Sequence, residues 1–167
     1  MRKVLVTALG ISLLALGVGA AMSWKRLEEP SNPITAILGC LDDLSSRCIF
    51  PVTSLGGGSV ADFEIAADLA AYAGLTVEMY GAACASSCTL FADRVVSNGG
   101  TLCTSEGMEM WLHEGRRGPE DNLEFVGIED RYRLFRPAIQ DGGGLPANTF
   151  IRVPAAAVGI QSCDASR

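Results

Sequence analysis

Histidine is almost missing from this protein: His113 is the only one in 167 residues. With a single imidazole and no CxxC pair, the sequence argues against a Cys/His zinc site. Nothing in it calls for another cofactor. Basic charge is also scarce, with 13 Lys and Arg against 19 Asp and Glu and a net charge of −6. Binding a nucleic-acid backbone needs clustered Lys and Arg, so a nucleic-acid partner is not expected. Five arginines do fall within residues 116–136, but Glu and Asp are interleaved with them. That mixture reads as a solvated helix face. An odd cysteine is lacking too: the six are Cys40, Cys48, Cys84, Cys88, Cys103 and Cys163.

Long apolar runs are confined to the N-terminus. Met1-Arg2-Lys3 precedes an apolar stretch from Val4 to Trp24, and Lys25-Arg26 follows it. Residues 1–24 therefore read as a signal peptide, with small residues for cleavage after Ala20 or Ala21, or as a membrane anchor. Arg2 and Lys3 favour a cytoplasmic N-terminus. Either way the rest is expected to be exported, to the periplasm or to the outer side of the inner membrane, and tethered to that membrane if the segment is uncleaved. Residues 25–36 read as a polar, Pro-containing linker, and residues 37–167 as one domain with one core.

An even cysteine count in an exported protein permits disulfides. Cys40 and Cys48 bracket a short polar loop, Leu41 to Arg47, and make the best-supported pair. Pairing Cys84 with Cys88 would depend on the local turn. Cys103 with Cys163 would tie the C-terminus to the core.

Strand and helix signals alternate after Cys48. Cys48 to Ser54 is rich in strand formers, although Pro51 disfavours a central strand. Gly56-Gly57-Gly58 then gives a sharp turn. Ser59-Val60-Ala61-Asp62 resembles a capping box and opens a helix to about Ala73, with Gly74 ending it. Leu75 to Tyr80 alternates as a strand, residues 81–85 are all small, and a second helix is expected from Ser86 or Ser87 to about Asp93. Gly107 to His113 reads as a third strand, Glu124 to Ile139 as a helix, and Phe150 to Ile160 as a last short element. The pattern is α/β.

Three features fall in the order that acyl transfer requires. The small residues around Ser86 let a tight turn project its side chain, and the amide of Ser87 can face a developing oxyanion. Gly57 or Gly58 would add a second oxyanion donor, because glycine lets a backbone N–H approach a substrate closely. His113, ending a strand, would be the general base. Each has a plainer explanation: serines cap helices, glycine triplets form loops, and a lone histidine is often structural.

The glycine loop with Ser59-Val60, the Cys-Ala-Ser-Ser-Cys-Thr-Leu-Phe segment over residues 84–91, and the later strand ending in histidine resemble the Clp-protease-like branch of the ClpP/crotonase superfamily. More narrowly, they are similar to its exported, leader-bearing bacterial members. The resemblance covers roughly residues 49–115. It implies a spiral of ββα units, Ser86 as nucleophile, His113 as base, and Gly57 or Gly58 with Ser87 as oxyanion donors. It also implies a peptide or protein substrate, and rings or trimers as homo-oligomers.

The sequence departs from the family in three ways. Leu55 stands where proline is usual, the loop has an additional glycine, and the elements before Cys48 are abbreviated. The third triad member is also not evident. Asn148 can orient an imidazole as a carboxylate does, Asp141 is the nearest carboxylate before it, and Asp121 and Asp130 are remoter. The first expectation is an exported serine peptidase. The alternatives are a catalytically inactive scaffold serving as a periplasmic or membrane-tethered interaction module, and acyl-CoA chemistry of crotonase type, which an exported location disfavours.

Overall fold

Asn32 opens the first helix by accepting the Ile34 amide on its side chain at 2.8 Å, and Pro33 presets the helical φ of the first turn. The structure, a computed structural model, describes residues 32–52, 58–117 and 124–166. Helix α1 (Pro33–Asp42) thus begins inside the expected linker, so that linker does not extend to residue 36. The expected leader over residues 1–24 lies outside the described residues. Among the described residues, no helix is long and apolar enough to cross a membrane.

After α1 come β1 (Arg47–Phe50), α2 (Val60–Tyr72), β2 (Thr76–Met79), β3 (Ala83–Ala85), α3 (Ser87–Ser97), β4 (Thr101–Thr104) and β5 (Glu109–Leu112). They are followed by β6 (Gly115–Arg117), β7 (Glu124–Val126), α4 (Arg136–Asp141), β8 (Ile151–Pro154) and β9 (Gln161–Ser162). A parallel sheet has the order β1-β2-β4-β9. A smaller sheet orders β3-β5-β8, parallel across β3 and β5 and antiparallel across β5 and β8. A β6–β7 hairpin stands apart from both. The molecule is a single mixed α/β domain. β1 is an edge strand, where Pro51 just beyond it breaks no ladder.

The core lies between the parallel sheet and the pair α2 and α3. Phe50 of β1 stacks on Phe91 of α3 at 4.1 Å and meets Phe63 of α2 edge-on at 6.2 Å. All three are buried, each such burial being worth about 1.5–3 kcal/mol. Ala66, Ala67 and Ala70 are fully buried on α2, and their small size lets α3 pack close. Gly100 follows α3 at a similarly close approach, since a Cβ there would lie 2.9 Å from the Val95 carbonyl oxygen.

Three disulfides join the elements: Cys40–Cys48 links α1 to β1, Cys84–Cys88 links β3 to α3, and Cys103–Cys163 links β4 to the C-terminal turn. Disulfides persist in oxidising compartments.

Several expectations need correction. Residues 81–85 are not only a turn, because Ala83–Ala85 pairs with β5. β4 was not expected, and α3 runs on to Ser97. The helix expected from Glu124 to Ile139 is instead β7, a 3-10 turn at Glu129–Arg131, and α4. One continuous helix would bury Pro137 in its interior, where the ring clashes with the preceding turn. The buried Asp93 carboxylate also accepts the amides of Arg133 and Phe135 at 3.0–3.1 Å, holding that segment in a non-helical path. The arginines of residues 116–136 are consequently not on one helix face: Arg116 and Arg117 lie in β6.

A candidate functional cleft at the start of helix α3

Ser86 sits between β3 and α3 with φ 58° and ψ −129°, a conformation that a residue with a Cβ rarely adopts. Such backbone costs on the order of 1–3 kcal/mol and persists only where the surroundings enforce it. They do so here from both sides. The Ser86 amide donates to the Trp111 carbonyl at 3.0 Å, fixing the turn to β5. The buried Thr89 hydroxyl lies 2.9 Å from the Cys84 carbonyl and 3.1 Å from the Trp111 carbonyl. The Cys84–Cys88 disulfide closes the same five residues.

Ser86 occupies the N-cap position of α3, yet its side chain makes no capping hydrogen bond. The hydroxyl is therefore not used by the helix. Ser87 does not cap either: its hydroxyl donates to the Gly58 carbonyl at 2.8 Å. The Ser87 amide is one of the first-turn N–H groups that an α-helix leaves without an intrahelical partner. Gly58 has φ 145°, open to glycine and rarely to other residues.

His113 follows β5 directly and is half-buried. Its ring meets Phe150 edge-on with centroids 5.0 Å apart. Burial pushes the imidazole pKa below its ordinary value of 6.5; the Glu114 main chain works against this and the Arg116 charge adds to it. The Glu114 amide donates to the Pro146 carbonyl at 3.0 Å, which brings residues 146–150 alongside the histidine.

One cleft of about 670 Å³ joins these segments. Gly58, Ser86, Ser87, His113 and Asn148 all line it. Asp141, at the end of α4, and Asp130 do not. Gly57 and Asp121 lie outside the described residues. Arg116 and Phe150 also line the cleft and were not expected to. Phe150 carried no signal beyond lying near Asn148, while the charge pattern around Arg116 suggested only a solvated helix. Among the described residues, no group of three or more His, Cys, Asp or Glu is arranged to hold a metal ion.

A hydroxyl on an enforced turn, an imidazole whose pKa is lowered by burial, and the first-turn amide of Ser87 are parts that an acyl-transfer site would use. Comparison with protein-family models, with curated proteins and with solved structures finds no match for this protein.

Proposed function

We propose that this protein is an exported serine hydrolase, a peptidase that works from Ser86 and His113. The observation that carries the reading is the strained Ser86 turn with its uncommitted hydroxyl, in the same cleft as the only histidine. Ser86 Oγ attacks the scissile carbonyl as His113 takes its proton. The oxyanion of the tetrahedral intermediate rests on the amides of Gly58 and Ser87. Collapse breaks the C–N bond, the leaving amine takes the proton from His113, and water then releases the acyl group from Ser86. Asn148 is the residue that would orient the imidazole.

The strand order supports descent from the ClpP/crotonase superfamily as part of the same proposal. β2, β3 and α3 form one ββα unit, and β4 with β5 begins the next on the neighbouring strands of the two sheets. Homo-oligomers and attachment to a membrane through residues 1–24 belong to that proposal too.

One observation favours a second reading, an inactive scaffold that serves as an interaction module. Among the described residues, the influences on the His113 ring are burial, the Glu114 main chain and Arg116, with no carboxylate among them. Fluorophosphonate labelling separates the two readings. A hydrolase is labelled and its Ser86→Ala variant is not, whereas a scaffold is not labelled at all. Undiminished labelling of Ser86→Ala would remove Ser86 from the mechanism.

A further inference from the structure

Apart from the imidazole, the described lining of the cleft contains one ionisable side chain, Arg116. It lies in β6 directly opposite Phe125 of β7, and its guanidinium carbon sits 5.3 Å from the centre of the Phe125 ring. That contact steadies the group while leaving its charge unneutralised and its N–H edge open. Among the described residues, no carboxylate pairs with it. Its charge is felt at the reacting centre, since it helps to lower the His113 pKa. Val60, Ile128 and Phe150 add apolar surface, while Ser59, Asn148 and Thr149 contribute uncharged polar groups.

A cation that lines the same cleft as Ser86, with no carboxylate partner among the described residues, stands out in a protein of net charge −6. Overall, such a protein repels anions. An anion is therefore bound where a specific group receives it, and the planar guanidinium fits a carboxylate through two parallel hydrogen bonds.

We propose that Arg116 is a specificity-determining residue and that the cleft takes substrates presenting a carboxylate next to the scissile bond. The inference rests on the hydrolase reading of this cleft, because it names what that site holds. The carboxylate comes either from an acidic side group or from the free C-terminus of a peptide.

The test is binding without chemistry, in the Ser86→Ala protein, read from the His113 ring resonances by NMR. Three ligands differ only in charge and its position: N-acetylglutamate α-amide, N-acetylglutamine with a free α-carboxylate, and uncharged N-acetylglutaminamide. At least one acid is expected to shift His113 saturably, with a Kd at least tenfold below that of the neutral ligand. Adding Arg116→Ala should abolish that difference, and Arg116→Lys should keep part of it. Whichever acid binds more tightly identifies the source of the carboxylate. Equal binding of acids and amide, selectivity that survives Arg116→Ala, or no saturable shift with either acid overturns the proposal. Because no bond is broken, failure here is distinct from failure of Ser86 to react with a fluorophosphonate.

Discussion

The Ser87 hydroxyl donates to the Gly58 carbonyl at 2.8 Å, tying the glycine loop to the first turn of α3 across 29 residues of sequence. This bond holds together the two segments whose amides would share an oxyanion. Ser87→Ala keeps the Ser87 amide but leaves the Gly58 carbonyl without that donor. The expected cost is about 1 kcal/mol, or a Tm lower by roughly 4 °C, measured by calorimetry. Labelling of Ser86 should slow by more than the stability loss explains, because the loop loses its anchor.

Ser86 bears backbone strain that the proposed role as nucleophile would account for. Ser86→Gly is expected to be more stable than Ser86→Ala by about 1–2 kcal/mol, since only glycine accepts φ 58° without a Cβ penalty. Urea unfolding of the two variants checks this. Equal stabilities would mean that the turn is unstrained.

The lowered His113 pKa determines how reactivity depends on pH. In the proposed mechanism the neutral ring is the base, so Ser86 labelling should rise with pH through a midpoint below 6.5 and stay level above it. Arg116→Gln removes one cause of the shift and should move the midpoint up. The same group acts on stability. Its folded pKa lies below its unfolded one, so its contribution is intact above the unfolded value. That contribution is lost as pH falls through the folded pKa. His113→Gln should flatten this part of the stability profile.

Asp93 organises the segment between the hairpin and α4. Asp93→Ala removes a buried acceptor and strands the amides of Arg133 and Phe135. The expected loss is about 2–4 kcal/mol by urea unfolding. Hydrogen exchange should speed up first at residues 132–136.

The disulfides should contribute unequally. By loop-closure entropy, Cys103–Cys163, with a sequence separation of 60, is worth about 4 kcal/mol, while Cys84–Cys88, with a separation of 4, is worth about 2 kcal/mol. Double Cys→Ala variants, unfolded in urea, should follow that order.

Signals that are local in the sequence were legible. The Ser59 cap, the Gly74 stop and the alternation of β2 and β5 each depend on neighbours a few residues away. Cys40 and Cys48 bracketed their loop in the same way. What the sequence hid was set by distant contacts. Glu124 to Ile139 has helical composition, yet Asp93, some forty residues earlier, claims the amides that a helix would need. β3, with three residues, is too short to show alternation, and β4, Thr-Leu-Cys-Thr, lacks a polar–apolar alternation of its own; both are strands because their neighbours pair with them. Ser86 and His113, singled out by order and spacing, both line one cleft. Whether the serine merely capped a helix could not be read that way, since that depends on where its hydroxyl points. Arg116 was missed for the same reason: it reaches the cleft by a hairpin that charge pattern does not reveal.

The most direct test of a Ser86–His113 hydrolase maps the adduct that a fluorophosphonate leaves on the folded protein at neutral pH, by peptide mass spectrometry. The adduct is expected on Ser86, absent in Ser86→Ala and formed at least a hundredfold more slowly in His113→Ala. An adduct on another residue, or a Ser86 adduct that forms as fast without His113, would contradict it.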